Sequence, residues 1–130
     1  MKRAVVAHDC GLIVNPDGLR NQIEGNVIQA TSRTLKEEVK FDRSQVTTLD
    51  WTLYPILKFS EIPEVVVELI SRPDQPAVGA GEATTSVIPA AIANAISNGT
   101  GARLRTIPFT PERVKAALSS IAASTLHSSM

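Results

Sequence analysis

The spacing of apolar and polar positions changes several times along the chain, and the changes outline its elements. Ala4-Val5-Val6-Ala7 is a short β-prone run, and Leu12-Ile13-Val14 resumes it beyond Gly11. Together they predict a strand broken or bulged near that glycine. Asn15 and Pro16 form a helix-start signal, a side-chain acceptor for free amides followed by a residue whose missing N–H is no loss there. Leu19, Ile23, Val27 and Ala30 then recur at helical spacing, widened by Ile28 and Leu35, and predict a helix from Pro16 to about Leu35. Short strands are expected over Glu37–Phe41 and Val46–Trp51, with a turn at Asp42-Arg43-Ser44-Gln45 between them. Ile56 to Pro63 reads as a loop plugged by Ile56, Leu57 and Phe59. Glu64-Val65-Val66-Val67-Glu68-Leu69-Ile70 is the clearest strand, β-branched and mostly apolar on both faces, hence central or half-covered.

After a proline-broken polar loop, Val87, Ile88, Ala91, Ile92, Ala95 and Ile96 predict a second helix, apolar almost all round and therefore deeply buried. Thr85 or Ser86 would cap it, Pro89 would fall in its first turn, and Asn98-Gly99 would end it. Arg103 to Ile107 alternates like an edge strand. Thr110-Pro111-Glu112 opens a last helix with Val114, Ala117, Leu118 and Ile121 inward, and a polar tail, 124–130, is expected to fray. The fold class is α+β. A single domain over residues 1–123 would pack a mixed sheet against the long first helix, the buried second helix and the C-terminal helix.

Composition narrows this picture. The chain is 43% hydrophobic but only 4% aromatic, so its core must be aliphatic. Thirteen basic residues balance thirteen acidic ones, which gives no electrostatic argument for nucleic acid or an anionic membrane surface. Cys10 is the sole cysteine, which excludes an internal disulfide and fits a reducing compartment. No apolar run nears the ~20 residues of a membrane span, and the N-terminal run is too short for a signal-peptide core. A soluble, cytoplasmic protein is expected, and the abrupt start in a strand suggests a piece of something larger.

Candidate chemistry centres on Val78-Gly79-Ala80-Gly81-Glu82-Ala83-Thr84-Thr85. Glycines let backbone approach a ligand closely. A carboxylate in such a turn, amid apolar sequence, is a candidate general base. The alternative is a plain strand-to-helix connection with Glu82 near a helix start, where negative charge is favoured. The turn lacks the Gly-Lys-Ser/Thr of a phosphate loop and the third glycine of a dinucleotide fingerprint. Within the first helix, Gly25 costs roughly 1 kcal/mol relative to alanine and needs a reason such as close approach of a backbone or ligand. Gln22, three residues earlier, could bond a ligand's polar groups or simply face solvent. His8, Asp9 and Cys10 are too few for a zinc site, and no orienting group supports a Cys–His nucleophile. Trp51 and Tyr54 could line a pocket or anchor a loop.

Taken in order, Asp9-Cys10-Gly11-Leu12-Ile13-Val14-Asn15-Pro16, Gln22-Ile23-Glu24-Gly25, Gly79-Ala80-Gly81-Glu82, Pro89-Ala90-Ala91-Ile92-Ala93-Asn94-Ala95-Ile96 and Thr100-Gly101-Ala102-Arg103-Leu104-Arg105 form a recognisable series. From about Lys2 to Leu118 the chain resembles the C-terminal part of the molybdopterin-binding large subunit of the xanthine dehydrogenase/aldehyde oxidase family, of the isoquinoline 1-oxidoreductase and nicotinate dehydrogenase type. The resemblance implies an oxidoreductase that hydroxylates an N-heteroaromatic or aldehyde carbon with oxygen from water. Glu82 would be its general base. Gln22 would hydrogen-bond the pterin, Gly25 would make room nearby, and Gly79, Ala80 and Gly81 would border the cofactor. None of these residues would ligate the metal. The cofactor implied is molybdenum–molybdopterin, in the cytosine dinucleotide form usual in bacterial members. Two positions depart from the family pattern: Ala83 stands where a proline is common, and Asn26 where a second glycine is frequent.

Large subunits of this kind are several times longer. The partners implied are therefore the remainder of the large subunit and an iron–sulfur electron-transfer subunit, whose cluster Cys10 alone cannot bind. The isolated chain is expected to be inactive and to hold no cofactor. The alternative is a stand-alone remnant that self-associates, as a homodimer or larger homo-oligomer, without molybdenum.

Overall fold

A computed structural model describes residues 1–127, with side chains through Ala123. The chain is α+β. Its elements in order are β1 (Arg3–Asp9), α1 (Pro16–Leu35), a 3-10 turn (Phe59–Glu61), β2 (Glu64–Ile70), α2 (Ala83–Thr100) and α3 (Pro111–His127). Contacts divide it into two compact units, Met1–Thr31 with Leu57–Ile88, and Ser32–Ile56 with the chain from Pro89 onward.

In the first unit β1 and β2 pair in parallel, in register from Arg3 opposite Glu64 to Asp9 opposite Ile70. Parallel neighbours require a long crossover, and α1 lies within it. Alternation along β1 turns Ala4, Val6 and His8 inward and leaves Arg3, Val5, Ala7 and Asp9 exposed. The inner face meets the stripe foreseen on α1. Cys10, Leu19, Ile23 and Val67 form the buried cluster, with Val6, Ile13, Val65, Leu69 and Ala80 packed against it. Ile23 is fully enclosed, and Arg20 ties α1 to β2 through Nη1 to the Val67 carbonyl at 2.7 Å. The start of α1 follows its capping chemistry. The Asn15 side-chain oxygen accepts from the Gly18 amide at 2.9 Å, and its carbonyl accepts from Leu19 at 3.0 Å.

In the second unit the Phe109 amide donates to the Thr34 carbonyl at 2.7 Å, and Arg113 pairs with Glu38 at 2.6 Å while also donating to the Pro108 carbonyl. Helix α3 starts as expected, with the Thr110 hydroxyl accepting from the Arg113 amide at 3.4 Å. It runs to His127, so the tail expected from Ser124 begins as helix. Residues 128–130 lie outside the described residues.

The sheet is smaller than the pattern suggests. Leu12–Val14 is not a strand, because Gly11 takes a φ of +73° and turns the chain at the end of β1. Glu37–Phe41 and Val46–Trp51 form only a single antiparallel bridge, Phe41 to Val46. The reason is local competition. The Asp42 carboxylate accepts the amides of Ser44 and Gln45, and the Asp50 carboxylate accepts those of Thr52 and Leu53, so both segments close into turns before a ladder can lengthen. Arg103–Ile107 is likewise irregular. In the Ile56–Pro63 loop Leu57 is half-buried, but Phe59 is 95% exposed rather than a plug.

Helix α2 begins at Ala83 and carries Pro89 in its interior rather than in its first turn. It ends at Thr100 and is closed by Gly101, not Gly99: Gly101 adopts φ +77° and its amide closes on the Ser97 carbonyl at 2.8 Å. Among the described residues, one of its faces is covered. Thr84, Ile88 and Ile92 are buried, while Val87 is 57% exposed.

Candidate functional site at the glycine turn

The site is built from two pieces of the first unit, the first half of α1 and the chain from Ser71 to Thr85. Helical geometry stacks residues four apart, so Gln22 and Asn26 lie one above the other on α1, with Gly25 beside them. The second piece is laid against the end of β1 by backbone bonds. The Arg72 amide donates to Gly11 at 3.2 Å, Leu12 to Gln75 at 3.2 Å, and Val78 to Cys10 at 3.0 Å. Arg72 also reaches the Asp9 carboxylate at 3.5 Å, and that carboxylate accepts the Gly11 amide at 3.0 Å. Glycine at position 11 is required twice over. Its φ is positive, and a Cβ there would stand 2.1 Å from the Pro76 carbonyl oxygen.

The glycine turn follows directly. Ala80 packs on the apolar cluster. The Asn26 side chain, buried on α1, donates through Nδ2 to the Gly81 carbonyl at 2.9 Å. A Cβ on Gly81 would lie 3.8 Å from Gln22 Nε2, so the turn passes directly over that exposed amide. Glu82 comes next, exposed, at the residue before α2. Its carbonyl accepts the Thr85 amide at 3.0 Å. A carboxylate there stands at the positive end of the helix dipole. The enclosed surroundings that its apolar sequence context suggests are not supplied by the described residues.

The structure therefore brings Gln22 and Gly81 together from distant parts of the sequence, and Glu82 follows Gly81 in the chain. Gly25 and Gly79 lie in open space, and a Cβ at either would meet no atom within 4 Å. The close approach expected at Gly25 is thus not made by the described residues.

Asn26 stands out in the sequence only as a departure from a family pattern, yet it contacts the turn directly. The signal for it is a polar residue continuing a buried helical stripe, since buried polar groups need partners.

The other candidates separate from this site. Cys10 is buried in the apolar cluster, and Asp9 is engaged by Gly11 and Arg72. His8 is buried in β1, with Nε2 lacking a hydrogen-bond partner among the described residues. Among the described residues no three His, Cys, Asp or Glu side chains gather as a metal site. Tyr54 anchors its loop, its hydroxyl donating to Glu37 at 2.8 Å, and the accepting carboxylate holds the phenol above its ordinary range. Trp51 meets the Tyr54 ring edge-on at 6.3 Å yet stays 75% exposed, beside a shallow recess lined by Thr48, Leu49 and Asp50.

Comparison with known proteins decides the family. A model described as the molybdopterin cofactor-binding domain matches residues 1–63. One of the nicotinate dehydrogenase subunits of Pseudomonas putida is 52% identical over 89% of this chain, and the match spans 10% of that protein. The beta chain of isoquinoline 1-oxidoreductase from Brevundimonas diminuta is 33% identical over 85% of this chain and 14% of its own length. The crystal structure of quinoline 2-oxidoreductase from Pseudomonas putida 86 superposes with a TM-score of 0.79 at 29% identity, covering 88% of this chain and 16% of that one. The chain belongs to the molybdopterin-binding xanthine dehydrogenase/aldehyde oxidoreductase family. It spans only a small part of its relatives' length, and the names of the first two mark them as subunits.

The residues present fit the group that this family binds. Gln22 offers an exposed amide with both donor and acceptor, and the Cβ sides of Gly25 and Gly79 are clear of protein atoms. Among the described residues no helix is long and apolar enough to cross a membrane.

Proposed function

We propose that this chain forms one wall of the catalytic site of a molybdenum hydroxylase, with Glu82 as general base and Gln22 as a hydrogen-bonding partner of the pterin. The observation that carries the reading is the meeting of the Gln22 amide with the Gly81–Glu82 turn, across 59 positions of sequence from 22 to 81. When bound, molybdenum–molybdopterin, in its cytosine dinucleotide form, supplies a two-electron oxidation that places water-derived oxygen on an N-heteroaromatic or aldehyde carbon. This chain's own side chains would supply the proton acceptor and part of the cofactor's hold. Glu82 takes a proton at a carboxylate oxygen. Gln22 orients the cofactor by donating and accepting at once, and Gly25, Gly79 and Gly81 leave room for it beside α1, with Ala80 holding the turn down.

The remaining walls would come from the rest of the large subunit, and electrons would leave through an iron–sulfur partner in a reducing cytoplasm. The test is the chain assembled with those partners. Glu82→Gln should lower the hydroxylation rate at least about a hundredfold, with molybdenum content and the fold of the chain unchanged. Turnover that survives the substitution removes Glu82 as the base. Gln22→Ala should instead lower pterin retention.

A second reading rests on the apolar side chains left uncovered. Phe41, Leu49 and Trp51 in one unit and Val14 and Phe59 in the other are each more than two-thirds exposed. A remnant that self-associates without molybdenum would cover them with its own copies. Sedimentation of the purified chain, alone and co-expressed with a large-subunit gene lacking this region, separates the two. A stable homo-oligomer that ignores the co-expressed chain supports the second reading, and a stoichiometric complex that retains molybdenum supports the first.

A further inference from the structure

The turn that carries Glu82 has little of its own to hold it. Gly79 and Gly81 have no side chains, neither would crowd another described residue through a Cβ, and neither adopts a positive φ that would lock it. Upstream, the Val78 amide is anchored to Cys10. Downstream, the Glu82 carbonyl is tied to Thr85 within the start of α2. Between these points Ala80 supplies apolar contact, which does not set direction. Among the described residues, one hydrogen bond reaches this interval from another element, the 2.9 Å bond from Asn26 Nδ2 to the Gly81 carbonyl.

Asn26 is well placed to fix direction. It is 7% exposed, in the middle of a long helix, flanked on the same stripe by the fully buried Ile23 and Val27. Its backbone is held by helical bonds and its side chain by packing, so the amide is delivered from a rigid support. It also stands one turn beyond Gln22. The same helix thereby sets the position of both the Gln22 amide and the Gly81 carbonyl, whose peptide leads directly into Glu82.

We infer that Asn26 is a positioning residue, a buried clamp on the Gly81 carbonyl that fixes where the Glu82 carboxylate stands relative to Gln22. This rests on the reading of Glu82 as base for its catalytic consequence, but not for its structural one. The clamp requires a donor, so shape alone does not replace it: Asn26→Asp keeps the outline of the side chain and, when ionised, has no hydrogen to give.

The test has two parts. In the chain alone, amide hydrogen exchange is compared for the natural protein, Asn26→Ala and Asn26→Asp. The expected result is exchange faster by about tenfold at Thr85, whose amide is bonded to the Glu82 carbonyl, in both variants, with β1, β2 and the rest of α1 unchanged. Unchanged exchange at the turn overturns the inference. So does a uniform acceleration over the whole first unit, which marks Asn26 as a general stability residue. In the assembled complex, both variants should lower kcat by about tenfold or more while KM and molybdenum content hold. An unchanged kcat beside a dead Glu82→Gln overturns the positioning role alone. Full turnover in Glu82→Gln removes the base, and the exchange result still decides whether Asn26 holds the turn.

Discussion

Two irregular stretches of similar polarity meet opposite fates in this chain. The segment from Ser71 to Glu82 is held from outside itself, by backbone bonds to Gly11, Leu12 and Cys10 and by the side chain of Asn26. The segment from Glu37 to Tyr54 is held mostly from within. Asp42 and Asp50 each wrap the two or three residues that follow, and Tyr54 closes back on Glu37. Long-range bonds place a side chain with respect to a distant one, which a site requires. Local turns only give a loop its shape. The first stretch accordingly carries the meeting of Gly81 with Gln22 and Asn26. The second presents Phe41, Leu49 and Trp51 outward, more than two-thirds exposed.

The contrast can be broken most severely at Gly11. Gly11→Ala puts a side chain into a left-handed conformation and drives it into the Pro76 carbonyl. A loss of roughly 2–4 kcal/mol is expected, read as a lower urea midpoint with an unchanged slope. If the loop from Ser71 is merely draped on β1, the midpoint will barely move.

Acid should act on the other stretch. The Asp42 carboxyl lies below its ordinary value of 3.8 because the Ser44 amide, then the Gln45 amide and the Ser44 hydroxyl, bond its charged form. The Asp50 carboxyl is lowered by the Thr52 hydroxyl first, then by the amides of Thr52 and Leu53. A depressed folded value means that the stabilisation is whole above 3.8 and is lost as pH falls through the lower folded values. Exchange at Ser44, Gln45, Thr52 and Leu53, compared at matched intrinsic rates, should therefore lose protection below 3.8, while Leu12 and Val78, bonded to carbonyls, keep theirs. Loss of protection in both groups at one pH would erase the distinction.

The smallest effect is expected at Trp51. Trp51→Ser should leave stability within about 0.5 kcal/mol, because little of the ring is buried, yet it should weaken any complex that covers this face. A large drop in melting temperature for the chain alone would show that the second stretch is packed, not merely folded on itself.

Much of this is legible in the residues. The bounds of helix α1 follow from the start signal at Asn15 and Pro16 and from the period of Leu19, Ile23, Val27 and Ala30. Those of β2 follow from a β-branched run, Val65-Val66-Val67, in a largely apolar segment flanked by Pro63 and the polar Ser71-Arg72. The alternation at Glu37–Phe41, Val46–Trp51 and Arg103–Ile107 misleads, because it records which residues suit a strand, not whether a neighbour exists to pair with them. The end of α2 is ambiguous in sequence because Gly99 and Gly101 are equally permissive, and only the bond from Gly101 to Ser97 chooses between them. The expected burial of α2 fails at Val87 for a different reason. Composition says that a face is apolar, and only packing says what covers it.

Capping, periodicity and motif order are properties of neighbouring residues. They suffice for α1 and β2, the glycine-rich turn with its single carboxylate, and the family resemblance. Folding in three dimensions added that two of the strands pair in parallel, that Gly81 passes over Gln22, and that Asn26 holds it there. Those are relations between residues more than fifty positions apart, and no local preference encodes them. They follow from burying one aliphatic stripe of α1 against two strands, which leaves the next turn of that helix, and its amides, facing the glycine turn.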